Sequence, residues 1–268
     1  MKKIFPVLII ALIFLLDSCQ DVIQLDLNST APKYVIEGIV SNASAAPYSI
    51  KITQTTDYFN PVTPPSVSGA LVTIADDAGN RDTLIERSAG VYITQNLKGT
   101  IGRTYTLRVK IGSNEFTAAS KMPVRVALDS VSLTKQTGPF AVKDTVKYQM
   151  RVHFNDPAGI GNNYRARLTK NGSLAEAIYV QSDSRFVADG TTATFPLFGN
   201  DLKSGDSATI ELWTMDNGMY DFFSSLSELT TRRGGGTAAP GNPTTNIKGG
   251  ALGYFGAVSI SAKSLTVK

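Results

Sequence analysis

Cysteine is nearly absent from this chain: among 268 residues, Cys19 alone carries a thiol. No intrachain disulfide can form, so stability has to come from buried apolar surface and backbone hydrogen bonds. Histidine is as scarce, with His153 the sole imidazole. One His and one Cys far apart in sequence do not make the ligand sets that zinc takes. A Ser–His–Asp triad would have to use His153 as its base, and no G-x-S-x-G elbow accompanies it. Charge is nearly balanced, 26 Lys and Arg against 22 Asp and Glu for a formal +4. No basic run is interleaved with aromatics, so the electrostatic footprint of nucleic-acid binding is missing. No GxxxxGKS or GxxxxGKT loop is present either, although Gly234-Gly235-Gly236 invites the comparison. These absences predict a protein that is not an enzyme and needs no metal or cofactor.

A hydrophobic run long enough to span a bilayer is also lacking. Met1-Lys2-Lys3 precedes Ile4 to Leu16, and this apolar stretch falls short of the roughly 20 residues a spanning helix needs. A positive start, a short apolar run and a small residue at the break are the parts of a secretory signal. The residues Leu16-Asp17-Ser18-Cys19 resemble a bacterial lipobox. That resemblance implies cleavage before Cys19 and lipidation of its sulfur, which would hold the chain on a bilayer. Asp17 departs from the uncharged small residue usual at that place. An ordinary cleaved signal with a leftover thiol and an uncleaved anchor stand as the other two readings. The organisation expected is a signal over 1–18 and a lipidated tether over 19–33.

Beyond the tether the pattern is strand, turn, strand. YVIEGIV, YSIKITQT, ALVTIAD, RDTLIE, VYITQNL, TYTLRVK and EFTAAS, between Tyr34 and Ser120, are rich in Val, Ile, Thr and Tyr. Asp76-Asp77-Ala78-Gly79-Asn80 separates two of them as a hairpin turn. Short strands in this number, without helical periodicity, predict an Ig-like or transthyretin-like sandwich over 34–123. The segments from Gly69 to Leu107 resemble the carboxypeptidase-regulatory-like sandwich. Lys121-Met122-Pro123 ends this set.

A second β-rich domain is expected over 124–268, built from VALDSVSL, TVKYQMRVHF, NYRARLTK, AIYVQSD, ATFPLF and ATIELWTM. In the last of these, Ala208, Ile210, Leu212 and Thr214 alternate with Thr209, Glu211 and Trp213, marking two different faces. Met219, Phe222, Phe223, Leu226 and Leu229 recur at helical spacing and predict one helix over about 219–229. Its expected place is over a sandwich core, with partner binding as the other reading. A Gly/Pro-rich loop follows over 230–250. GALGYFGAVSISA and SLTV close the chain as two strands, the glycines beside Tyr254 and Phe255 suiting close backbone approach at a sheet edge or bulge. The fold class predicted is mostly β: two sandwiches, with one helix inserted in the second.

Several of these pieces occur together. VIQLDL after the lipobox, YVIEGIVS, DYFNPVTPPSVSGALVTIADDAGN, GRTYTLRV, KMPVRVALDSVS, FNDPAGIGNNYRARL and the ending NIKGGALGYFGA resemble the Bacteroidota lipoproteins grouped as a domain of unknown function, DUF4249. The resemblance implies an outer-membrane address and an accessory or binding role beside a TonB-dependent receptor. No activity or ligand comes with it. By the same kind of resemblance, Gln20 after the cysteine lacks the inner-membrane retention signal, and early Asp21 favours the cell surface over the periplasmic face. A structural or adhesive surface protein is the second reading of function, and a hydrolase the third.

Candidate chemistry is thin. Asp76, Asp77, Asn80 and Asp82 crowd one turn, and Asp156, Asn162 and Asn163 another. Neither follows the alternating ligand spacing of a calcium loop, and turn chemistry accounts for both. His153 shares a strand face with Arg151 and is expected to be a hydrogen-bonded sheet residue. Tyr58-Phe59, in a Pro-rich loop that does not need aromatics, is the candidate ligand-stacking pair, against packing of the loop on its own domain. Asp82-Thr83-Leu84, Asp129-Ser130-Val131, Asp144-Thr145-Val146 and Asp206-Ser207-Ala208 resemble an O-glycosylation pattern of exported Bacteroidota proteins. This nominates Thr83, Ser130, Thr145 and Ser207. The plain alternative is that Asp ends a turn and the hydroxyl residue begins a strand.

Overall fold

Alternating β-branched and polar residues build pleated strands because the branched side chains pack well on a half-buried sheet. The computed structural model describes residues 31–43, 47–56, 62–136, 146–159, 161–175, 179–182, 188–231 and 241–268. The first set of strands comprises β1 (Tyr34–Ser41), β2 (Ser49–Gln54), β3 (Leu71–Asp76), β4 (Arg81–Thr83), β5 (Ile85–Ser88), β6 (Val91–Ile93), β7 (Thr104–Ile111) and β8 (Asn114–Lys121). The second comprises β9 (Ser130–Lys135), β10 (Tyr148–Asn155), β11 (Asn163–Lys170), β12 (Ser173–Leu174), β13 (Tyr179–Ser182), β14 (Thr192–Leu202) and β15 (Ser207–Met215). Helix α1 (Asn217–Thr231) and strand β16 (Leu252–Thr266) follow. The fold is mostly β and sandwich-like, with one helix among the described residues.

One long sheet runs β12-β11-β15-β16-β1-β2-β6-β5, with β13 also paired to β11. Two smaller sheets pack on it, β4-β3-β7-β8 and β14-β10-β9. Under the first lies a core that includes Ile36, Ile50, Ile52, Val72, Ile74, Tyr105, Val109 and Phe255. Under the second lies another, including Met150, Val152, Phe154, Tyr164, Leu168, Ile210 and Leu212. Each fully buried aliphatic or aromatic side chain contributes about 1.5–3 kcal/mol of transfer free energy, enough to hold sheets together without disulfides.

Strand β16 joins the two packs. Its first half, Leu252 to Val258, pairs in parallel with Val35 to Ser41 of β1. Its second half, Ser259 to Thr266, pairs antiparallel with Ser207 to Thr214 of β15. GALGYFGAVSISA and SLTV therefore form one strand, not two, since no Gly or Pro interrupts the pairing after Gly256. The GYFG glycines do serve close approach, but in the middle of the long sheet. Gly253 has φ +95°, and a Cβ there would lie 2.1 Å from the Ile36 carbonyl oxygen. A Cβ on Gly256 would meet Met219 Sδ at 2.2 Å. The run RDTLIE, one strand by its pattern, divides at buried Leu84 so that β4 and β5 belong to different sheets.

Helix α1 starts on Asp216, whose Oδ1 accepts the Met219 N–H while its Oδ2 accepts from Ser120 Oγ and the Lys121 N–H. The cap thus ties the helix to the end of β8. Met219, Phe222 and Phe223 are buried, Leu226 is half-buried and Leu229 is exposed. The apolar stripe runs out before the helix does. Its buried part covers neither sandwich core. It packs with Trp213, Met215, Val258, Ile39, Tyr254 and Ile260 in a third cluster, on the other face of the long sheet.

Candidate functional site

That third cluster holds an arginine with a buried, unpartnered nitrogen. Alternation along β11 turns Tyr164, Ala166 and Leu168 into the second core and leaves Arg165 and Arg167 on the face beneath α1. Register places Arg165 beside Trp213 and Arg167 beside Glu211. The Arg165 guanidinium carbon stands 3.9 Å from the Phe223 ring centroid and 5.1 Å from that of Trp213. Arg167 stacks on Trp213 at 4.6 Å. Glu211 Oε2 accepts from Arg167 Nη1 at 3.1 Å and from Trp213 Nε1 at 3.0 Å, so the cluster's carboxylate is committed to those two. Arg165 Nε is buried with no hydrogen-bond partner. Burial first, and neighbouring Arg167 second, lower the Arg165 pKa to about 10. Desolvating a cation costs several kcal/mol, and ring faces return about 2 kcal/mol or more each in a dry setting.

Tyr254 continues the cluster toward β1 and β2. Its ring meets Phe222 at 4.6 Å and Phe223 at 5.2 Å. Burial, with the Glu37 carboxylate second, pushes its phenol above the usual range. Glu37 pairs in register with Tyr254 on one side and Lys51 on the other. A cavity of about 260 Å³ opens over these strands, lined by Glu37, Gly38, Ile39, Ser49, Lys51 and Tyr254. Among the described residues neither the Glu37 nor the Lys51 side chain has an ion-pair or hydrogen-bond partner. This face can stack a planar group, offer both signs of charge, and exclude water on its α1 side.

A second cavity, about 410 Å³, lies among Gly102, Met122, Val124, Asn162, Met215 and Asp216. Both Asp216 oxygens are already engaged in capping α1 and holding β8. This space is a seam between loops.

The residues nominated by sequence fall elsewhere. Cys19, Tyr58, Phe59 and Thr145 lie outside the described residues. Thr83, Ser130 and Ser207 are exposed. Ser130 and Ser207 begin β9 and β15, whereas Thr83 ends β4. Asp76 holds its turn by accepting from the Ala78 and Asn80 N–H groups, whereas Asp82, expected in the same turn, is buried in β4, and its Oδ2 accepts from the Gln95, Asn96 and Leu97 N–H groups after β6. Asp156 is buried and accepts from Tyr164 Oη, Asn162 Nδ2 and the Gly190 N–H. No metal-ligating group of three or more appears among the described residues. His153 sits on the sheet between Ser132 Oγ at 2.7 Å and Thr194 Oγ1 at 2.8 Å.

None of the residues of this face was nominated from sequence as a site. Two signals pointed there: Arg165 and Arg167 alternating in NYRARLTK, and the single Trp213 sharing a strand face with Glu211. Only the pairing of β11 with β15 puts them together.

A comparison with curated proteins returns no match. A family described as Domain of unknown function (DUF4249) matches residues 20–264, nearly the whole chain. The chain belongs to the DUF4249 family.

Proposed function

We propose that this protein is a lipid-anchored component of the outer membrane that binds through the face of its long sheet beneath and beside α1, as an accessory to a TonB-dependent receptor. Arg165 carries the reading. A fold selected for stability alone gains from an apolar side chain at such a place, because a desolvated cation with an unpartnered Nε is costly. Aromatic and arginine side chains gathered in one patch are also the residues that dominate binding energetics. The Cys19 leader supports the address, since a short apolar run ending in a lipobox-like tetrapeptide supplies an anchor without a spanning helix. Among the described residues no helix is long and apolar enough to cross a membrane.

The decisive experiment is crosslinking with mass spectrometry on intact native cells, paired with radioactive fatty-acid labelling. The expected result is label that disappears in Cys19→Ala and crosslinks to a receptor from positions on this face. Full processing of an unlabelled chain, or native membranes yielding no such receptor, would overturn the reading.

A structural or adhesive role is the second reading, and β5 favours it. This strand ends the path of the long sheet with all four residues exposed, Ile85 at 46%. An open edge is a template for strand addition. Concentration-dependent assembly in solution would support that role.

A further inference from the structure

We infer that the cavity beside Tyr254 binds a small zwitterion, an α-amino acid with its ammonium on Glu37 and its carboxylate on Lys51. This rests on the reading of the outer face as the binding face and names the ligand class there. Three observations carry it.

The first is charge placement. Lys51, Glu37 and Tyr254 form one row across β2, β1 and β16 by strand register. Directly opposed side chains on neighbouring strands stand roughly 5 Å apart at Cβ. A cation and an anion at that spacing complement a ligand whose own charges are a few bonds apart. A sugar or a simple anion would leave one of the two facing nothing. Within the described residues both charges are unengaged, so a ligand displaces water and no protein partner.

The second is shape. The next row holds Ser49, Ile39 and Gly256, with Met219 packed over that glycine. Ile39 and the Tyr254 ring give an apolar floor and wall beside the charge pair, suited to an aliphatic side chain. The cavity's 260 Å³ holds roughly eight waters at about 30 Å³ each, the scale of one amino acid.

The third is the wall behind it. The Tyr254 phenol is held protonated by burial and by Glu37. It stands beside Glu37, on the side away from Lys51, so its ring closes the α1 side of the cavity without adding a second anion. Binding is non-covalent, and no proton has to move.

Calorimetric titration of the full chain in detergent with neutral α-amino acids tests this, L-leucine first. Saturable binding is expected, weakened roughly ten- to hundredfold in Glu37→Gln and likewise in Lys51→Met, as loss of one charge-assisted hydrogen bond implies. L-leucine methyl ester, lacking the carboxylate charge, should bind weakly and ignore Lys51→Met. N-acetyl-L-leucine, lacking the ammonium, should ignore Glu37→Gln. Both side chains lie on a sheet surface, and circular dichroism of each variant checks that it folds; Lys51→Gln serves if the methionine variant does not. No binding by any neutral amino acid at millimolar concentration, or binding unchanged in both variants, overturns the inference. If that happens while crosslinks from the outer face persist, the ligand class falls and the binding face stands.

Discussion

The two faces of β16 differ in what they ask of their residues. On one face, Phe255 and Ala257 enter the first core, fully buried among apolar neighbours. On the other, two residues away or fewer, Tyr254 and Gly256 meet Glu37, Arg165 and the underside of α1. The first face is apolar at Phe255 and Ala257, and farther along it the buried Ser259 Oγ has no partner among the described residues. The free edge beside Phe255 is satisfied: Asn246 accepts from the Phe255 N–H and donates to its carbonyl, standing in for a strand. Among the described residues, the second face carries an unpartnered guanidinium nitrogen and two side-chain charges with no ion pair. Apolar packing is concentrated on one side of the sheet, and the proposed recognition chemistry lies on the other.

The largest effect should come from the apolar side. Phe255→Ala removes a fully buried ring and is expected to cost about 3–5 kcal/mol in urea unfolding of the full chain. A loss under about 1 kcal/mol would mean that the core is not seated on β16. On the opposite face, Gly256→Val places carbon where Met219 lies, and overpacking of this kind costs about 1–3 kcal/mol. The loss should appear as early protease cleavage within α1, with the strand signal in circular dichroism kept.

Arg165→Met should divide stability from binding. It exchanges a desolvated cation for an apolar chain of similar reach, so the unfolding free energy should stay within about 1 kcal/mol of the parent or rise. Receptor capture from native membranes should be lost. A large destabilisation would return Arg165 to a structural role and erase the contrast between the faces.

The smallest expected effect lies away from both faces, where β15 begins. Asp206 is held at a pKa of about 2, first by the Asn171 side chain, then by the Lys203 N–H and Lys170. Its folded pKa lies below the unfolded carboxylate value, so its contribution is present above pH about 4 and is lost as pH falls through about 2. Asp206→Asn should flatten that part of the stability profile, measured by thermal melts across the acid range.

Much of this was legible in the chain. Strand segments followed Val, Ile, Thr and Tyr alternation because side-chain period and pleat coincide. The helix followed Met219, Phe222 and Phe223. What the pattern could not show was long-range pairing. Nothing local tells β1 that its neighbour lies more than 200 residues later, and parallel register is set only when both strands meet a common core. The proposed binding face needed that pairing, since Glu37 and Tyr254 become neighbours through it. Leu229 misled for a related reason: helical spacing marks an apolar stripe, and the length of the surface beneath decides how much is buried. The turn at Asp76 was correctly read, because its partners Ala78 and Asn80 lie within four residues; Asp82 is instead a buried residue of β4 whose partners Gln95, Asn96 and Leu97 no local spacing displays.

The most direct test of the two-faced account places a photo-crosslinking amino acid at Ser49, beside the cavity, or at Arg108, on the exposed side of β7, in intact native cells. Adducts to a membrane partner from position 49, and none from position 108, are the predicted result. Adducts from position 108 alone, or from neither, would contradict the claim that the outer face of the long sheet is where this protein binds.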